Sequence, residues 1–466
     1  MKIFNTLSRT KEDFAPLEPN KIKMYTCGQT VYNDIHMGNA RFYVVFDAIR
    51  RYLHWRGFDV NFVQNFTDID DKIIAKATEE GCRAEEIAER YIAHTIEDLA
   101  ELNCLPATAN PRATQEVPEI ITLVERLING GFAYENNGTV YYDVTKFAQY
   151  GKLSGKKIDE LEAGARVEVE AGKRNPMDFV LWKPAKPGEP KWASPWGDGR
   201  PGWHIECSAM AKKYLGDEID IHGGGDDLIF PHHENEIAQT EAVTGRNFAQ
   251  CWMHSGILTT DHKKMSKSRG NFFTYREMKE KFSPDVMRFY FLSGHYRMPM
   301  EFNDDVLKAA AAGLSRIKTC KDNLHHAENA STDTSEHKHE PTIYSEKFIT
   351  AMDDDFNTAD AITAIFELVR HINTILANTT HNKNALSGLR NELENLCEIL
   401  GLFHTNAAQA AQNEDDLTAT IEQKINARQA ARDAKNFAES DRIRDELTAL
   451  GITIEDTPTG TRWRKT

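Results

Sequence analysis

Fifteen residues near the middle of the chain, HGGGDDLIFPHHENE at 222–236, hold three histidines, three glycines and four carboxylates, although the whole protein has only 17 histidines in 466 residues. Imidazoles and carboxylates at this density suit metal binding, and a glycine run lets a ligand approach the backbone. On a helical reading of PHHENE, His232 and Glu236 are four apart and share a face, whereas His233 is turned roughly 100° away. The seven cysteines, at 27, 82, 104, 207, 251, 320 and 397, are scattered and odd in number, as reduced thiols would be. Cys27 in TCGQTVY and Cys207 in GWHIECSAM would complete, with His232 and Glu236, a donor set suited to tetrahedral zinc. Plainer readings compete: a buried thiol as small apolar filler, and a histidine pair as a helix cap. HENEI does not continue to HExxH, because position 237 is Ile, and the chain has no CxxC of the deaminase kind.

Two further motifs point to anions. HMGN at 36–39 stands where a strand and a turn lead into a helix, and KMSKS at 264–268 runs on into RGN. Helix N-termini and glycine turns present free N–H groups to phosphates, and loop lysines can follow charge as it moves. Singly, each motif reads as a turn or a solvated basic loop. Together they make a triphosphate clamp.

The elements that must hold these groups alternate in type. Residues 22–26 (IKMYT) and 60–66 (VNFVQNF) are strand-like and 42–55 is helical; Ile87, Tyr91, Ile92, Ile96 and Leu99 mark a helix over 83–102. The pattern predicts a parallel α/β sheet, with Gly223, Gly224 and Gly225 at its carboxyl edge. Residues 135–203 turn to Gly, Pro, Trp and Lys and read as an insertion of loops and short strands. After Pro284 the chain is mainly helical, with runs at 345–377 and 386–403, a polar linker or exposed loop at His325–Glu340, a second polar break near 405–415, a helix at 418–436 and a terminal GTRWRKT.

Length allows two to four domains at ~100–200 residues each. No apolar run approaches the ~20 residues of a membrane span and the N-terminus lacks a signal-peptide core, so a cytoplasmic protein is expected. The net charge of −15 argues against indiscriminate nucleic-acid binding, but the last 47 residues hold nine Lys/Arg against eight Asp/Glu.

HMGN and KMSKS, in this order on an α/β chain, resemble the HIGH and KMSKS signatures of class I aminoacyl-tRNA synthetases. Met37 replaces an apolar Ile, and Asn39 replaces the second His while keeping an N–H donor. NFTDIDDKII, NPMDFVLWK, GWHIECSAM, DIHGGGDDLIFPHHENEIAQ, KMSKSRGN, MDDDFNTADA and the final GTRWR resemble the cysteinyl-tRNA synthetase family from end to end. The resemblance implies a Rossmann-type parallel-sheet catalytic domain with an inserted connective segment, then a helical bundle and a small anticodon-binding module. Catalytic halves at 1–134 and 204–283 would flank the insertion at 135–203. A stem-contact region and linker at 284–344, a helical bundle at 345–405 and a terminal module at 406–466 would follow.

By the same resemblance, one zinc ion per chain is held by Cys27, Cys207, His232 and Glu236 and binds the thiol of L-cysteine. Serine differs from cysteine by one atom, a difference that shape alone separates by only ~1–3 kcal/mol; a metal that favours thiolate separates the two chemically. ATP with Mg²⁺ would meet His36, Asn39, Lys264, Lys267 and the glycines 223–225, with Asp227 or its neighbour Asp226 at the ribose. Thr67 and Trp203 would border the amino acid. Arg462, Trp463 and Arg464 offer tRNA(Cys) a ring between two cations, or else the Trp anchors the C-terminus. A monomer is expected. Two other readings are an ATP-dependent ligase passing cysteine to an amino sugar, which needs no anticodon-binding tail, and a zinc hydrolase or binding protein, which leaves HMGN and KMSKS unexplained.

Overall fold

The computed structural model describes residues 1–157, 172–260, 263–264, 273–378, 380–403, 424–432, 436–449, 452–457 and 460–465, the last two strands and 263–264 as backbone. Two compact units divide the chain, Met1–Phe403 and His404–Thr466.

In the first unit a hairpin of β1 (Lys2–Asn5) and β2 (Thr10–Asp13) precedes β3 (Lys21–Thr26), α1 (Met37–Trp55) and β4 (Asp59–Gln64). Helices α2 (Asp71–Glu80), α3 (Ala84–Glu101) and α4 (Val117–Asn129) lead to β5 (Ala133–Asn136), β6 (Thr139–Tyr142), β7 (Phe179–Pro184) and β8 (Gly199–Pro201). Then come α5 (Trp203–Leu215), β9 (Ile219–Gly225), α6 (Glu234–Thr244) and β10 (Ala249–Ser255). The main sheet has the order β10-β9-β3-β4, and every pairing is parallel. The chain leaves β3 toward β4 on one side and later fills β9 on the other, so the order reverses between β3 and β9. In such sheets that switch point opens a crevice at the carboxyl ends of the strands. Cys27 follows β3 directly, and Gly225 closes β9.

The strands of this sheet are apolar because both faces are covered. Ile22, Met24, Ile221 and Met253 lie within one continuous core with Val44, Val45, Phe46 and Ile49 of α1, and that core extends into the later helices. Strands β5 to β8 form a separate antiparallel sheet with its own core of Val140, Tyr142, Leu181 and Trp182 packed under α4.

Beyond the main sheet, α7 (Tyr275–Lys279), α8 (Pro284–Leu292), α9 (Asp304–Ala330), α10 (Ile343–Asp353), α11 (Thr358–Leu376) and α12 (Lys383–Ile399) follow. Two sequence expectations change here. Helix α9 continues through His325 and His326, because Leu314, Ile317, Cys320 and Leu324 prolong a buried stripe beneath polar residues. The linker is therefore 331–342. The run expected over 345–377 is broken at Asp355 and Phe356, whose φ angles of 66° and 49° end one helix and start another. The Asp355 carboxylate accounts for the break: it is buried and accepts hydrogen bonds from Phe4 N, Tyr296 Oη and Arg297 Nε at 2.7–2.8 Å.

In the second unit, helix α13 (Phe437–Ala449) precedes an antiparallel hairpin of Ile452–Thr457 and Gly460–Lys465. Among the described residues no helix is long and apolar enough to cross a membrane.

Candidate active site and metal centre

Four buried side chains from three elements meet below the switch point. Cys27 comes from the end of β3, Cys207 from α5, and His232 and Glu236 from the turn into α6; their ligand atoms all lie within 4.8 Å of one another. Glu236 Oε1 faces the group, 3.2 Å from Cys27 Sγ and 3.1 Å from His232 Nε2. Its other oxygen, Oε2, is 3.0 Å from His222 Nε2. His232 Nδ1 shares a hydrogen bond of 2.9 Å with His204 Nδ1. A ligating histidine is usually fixed in this way through its other nitrogen.

The electrostatics suit a cation. Burial opposes ionisation of Cys207, but hydrogen bonding from Cys27 and the charge of His232 bring its thiol down to about 6. Burial also opposes charge on His232, yet Cys207 and Glu236 lift the imidazole to about 10. Glu236 stays well below the usual carboxylate range because His222 and His232 outweigh its burial. Burial pushes the Cys27 thiol up. Two thiols, an imidazole and a carboxylate, closely spaced and net negative, fit zinc.

His233 is less remote than the helix-face argument implies. Its Nε2 is 3.9 Å from Glu236 Oε1, since positions three apart on a helix are also neighbours. With Cys27, His222 and Glu236 it makes a second, overlapping quartet. However, His233 Nδ1 is bonded to His254 Nε2 at 2.8 Å, and His254 in turn to Thr6 Oγ1 at 2.8 Å.

Beside this quartet opens a cleft of about 300 Å³, lined by Cys27, His36, Gly38, Asn39, Trp203, Gly225, Asp226 and Asp227 among others. His36 caps α1: its Nδ1 accepts from Asn39 N at 3.1 Å, and Asn39 Oδ1 accepts from His36 N at 3.4 Å. With Oδ1 so used, Asn39 has its amide N–H₂ to offer a ligand. A Cβ at Gly38 would press on the His36 ring at 2.9 Å.

The three glycines do not share one purpose, as the sequence reading supposed. Only Gly225 lines the cleft. Gly223 and Gly224 are buried, and a Cβ on them would run into Phe46 of α1 and the His233 ring respectively. Their missing side chains admit protein, not ligand.

Trp203 is 41% exposed, with its ring 4.5 Å from that of His232, so it is not a core aromatic. Thr67 is buried behind the cleft and donates to Glu206 Oε2 at 3.1 Å. Lys264 belongs to a strand described as backbone, and Lys267 lies outside the described residues. Arg462, Trp463 and Arg464 are consecutive positions of the terminal hairpin, paired in register with Glu455, Ile454 and Thr453.

Asn65, His204, Glu206 and His222 are the residues that motif reading misses. Asn65 Oδ1 accepts from Gly28 N at 2.9 Å and lies 3.7 Å from Cys207 Sγ, tying the Cys27 loop to α5. The one local hint is that a polar residue ends an apolar strand.

A parallel sheet with its switch-point cleft, a capped HMGN turn on one wall and a thiol-lined floor define a class I aminoacyl-tRNA synthetase. The family model described as the tRNA synthetases class I (C) catalytic domain matches residues 13–312, a DALR domain model matches 347–404, and the cysteinyl-tRNA ligase anticodon binding domain matches 414–464. Among solved structures, the Mycobacterium tuberculosis methionyl-tRNA synthetase in complex with methionyl-adenylate aligns with a TM-score of 0.59 at 15% identity, over 82% of this chain and 89% of that one. The Agrobacterium radiobacter LeuRS–tRNA–LeuAMS complex aligns with the same TM-score at 12% identity, over 84% of both; these likenesses concern the fold. Curated sequences are much nearer. The cysteine–tRNA ligase of Lachnoclostridium phytofermentans is 54% identical over the full length of both chains. That of Geobacillus thermodenitrificans is 51% identical over 100% of this chain and 99% of its own. The chain belongs to the cysteine–tRNA ligase family, and it is an enzyme whose partners are tRNA, ATP and an amino acid.

Proposed function

We propose that the chain activates L-cysteine with Mg-ATP, forming cysteinyl-adenylate and pyrophosphate, and passes the cysteinyl group to the 3′ end of tRNA(Cys). The observation that carries the substrate choice is the quartet Cys27, Cys207, His232 and Glu236 at the floor of the nucleotide cleft. Zinc held there would supply a soft Lewis acid that takes a thiolate and leaves a neutral hydroxyl unbound. Trp203 and Thr67 border the bound amino acid and fix its orientation.

Attack of the amino-acid carboxylate on the α-phosphorus requires alignment and charge neutralisation more than bond-making by the protein. His36 Nε2 and the Asn39 amide donate to phosphate oxygens. Lys264 and Lys267 offset charge on the departing pyrophosphate. Gly225 gives the adenosine access to the backbone, and Asp227 or Asp226 takes the ribose hydroxyls. Residues 345–405 and the module at 406–466, with Arg462, Trp463 and Arg464, engage the tRNA. The scattered, unpaired cysteines suit a reducing cytoplasm.

Pyrophosphate exchange across a panel of amino acids, with and without chelator, tests the proposal. Exchange with cysteine alone, lost on metal removal, is expected. Exchange with serine at a comparable kcat/KM, or indifference to chelation, would refute the metal's role in selection.

A further inference from the structure

Helix α1 carries, two residues after Asn39, an arginine that no step above uses. Arg41 is 1% exposed. One of its terminal nitrogens donates to the carbonyls of Gly256 (2.7 Å) and Ile257 (3.1 Å). The other donates to those of His295 (3.2 Å), Tyr296 (3.2 Å) and Met298 (2.7 Å). Among the described residues no carboxylate is within ion-pair reach of it. Burial accordingly lowers the guanidinium to about 10.

These five carbonyls belong to the entries of two neighbouring strands. Gly256 and Ile257 lead into Leu258–Thr260, and residues 295–298 lead into Met300–Glu301, its parallel partner. Leu258–Thr260 also pairs antiparallel with Lys263–Lys264, from which the chain runs on into the KMSKS segment. Burying this cation is costly, and the charge of Asp226 offsets its burial only in part. An apolar side chain would fill the space, but it would leave the converging carbonyls unsatisfied. Only the five-donor fork of Arg reaches both strand entries from one side chain; the three donors of a Lys ammonium radiate from a single point.

The second strand entry is anchored from behind as well. Asp355 holds Tyr296 Oη at 2.8 Å and Arg297 Nε at 2.7 Å. Gly256 and Ile257 also line the cleft, as do Gly38 and Asn39. The guanidinium thus ties the HMGN helix to another part of the cleft lining.

We propose that Arg41 is a positioning residue for amino-acid activation, holding the small sheet that leads into KMSKS in register with the HMGN turn. This rests on the reading of Lys264 and Lys267 as the pyrophosphate clamp. Gly256 provides an independent handle on the same joint, because a Cβ there would meet Met298 O at 2.6 Å and Arg297 O at 2.7 Å and force the two strand entries apart.

The test is a double-mutant cycle on cysteine-dependent pyrophosphate exchange in the full-length zinc enzyme, using Arg41→Lys, Gly256→Ala, Lys267→Ala and the two pairs with Lys267→Ala. Arg41→Lys and Gly256→Ala should each lower kcat by about 10- to 100-fold, as misplaced reactants do, with zinc content and the KM for cysteine unchanged. Each should add little to the loss caused by Lys267→Ala, since both act by way of the strands that precede Lys267 in the chain. A wild-type kcat in both single variants, or fully additive losses in the pairs, overturns the role of Arg41 while leaving the clamp intact. Normal exchange by Lys267→Ala itself overturns the clamp. Should Arg41→Lys fail to fold, the Gly256 cycle decides by the same criterion.

Discussion

Glu236 can turn one oxygen to a metal because His222 occupies the other, and the His222 ring is itself stacked on Trp252 with centroids 4.3 Å apart. Replacing His222 by Ala should weaken zinc binding about 10- to 100-fold, the usual cost of losing the group that orients a ligand. Chelator competition measures this, and unchanged affinity would mean that Glu236 needs no support. Cys207→Ser and His232→Ala should lose the metal, whereas His233→Ala should keep most of it, because His233 does not group with Cys207 and its Nε2 is 3.9 Å from Glu236 Oε1 against 3.1 Å for His232. Metal analysis with the opposite ranking would favour the quartet containing His222 and His233. His232 and Glu236 are legible in the sequence because a spacing of four is a local signal, whereas Cys27 and Cys207 are singled out from seven cysteines by the family resemblance. His222 is not legible in the same way. It reads as the head of a glycine edge, and only the return of α6 against β9 brings the carboxylate fourteen residues on to its ring.

Helix boundaries follow the same division between local and distant causes. Stripes of three and four place α3 well, but Asp355 breaks a helical run for the sake of partners more than fifty residues away. Another carboxylate joins elements late in the chain. Glu392 of α12 accepts from Thr342 N (2.9 Å), Thr342 Oγ1 (2.7 Å) and Ser345 Oγ (2.5 Å) at the start of α10, and lies 2.8 Å from His339 Nε2. Burial works to raise its pKa, but the Ser345 and Thr342 hydrogen bonds outweigh burial and hold it below the ordinary 4.5. A lowered folded-state value means stability that is present above 4.5 and disappears as pH falls through the lower value. Glu392→Gln should therefore reduce Tm at neutral pH, and the gap from wild type should narrow as the pH falls below 4.5. A gap that stays constant through the acid range in which the wild type still folds would show that the carboxylate's charge is not what joins the two helices.

The division of the chain after Phe403 bears on how activation and charging are shared between the two units. Leu400 and Leu402 are buried in the core of the first unit, Arg288 Nε donates to Leu400 O at 2.8 Å, and Asn103 Nδ2 donates to Gly401 O at 2.8 Å. Arg288 also meets Asp47 of α1 at 2.5 Å, so the segment up to 402 is fastened to the catalytic domain by a buried ion pair and its neighbours. A cut before Leu400 would leave Arg288 Nε without its acceptor and expose core, and should destabilise activation and charging alike. A cut after Phe403 removes none of these contacts. The chain Met1–Phe403 should keep its zinc and exchange pyrophosphate with cysteine within about twofold of the full chain in kcat, because every cleft-lining residue and every metal donor lies before it. Charging of tRNA(Cys) should fall by orders of magnitude, since the anticodon binding domain match at 414–464 is lost entirely. Parallel loss of exchange and charging would make the terminal module a structural support for the catalytic domain and would refute a dedicated tRNA-reading role.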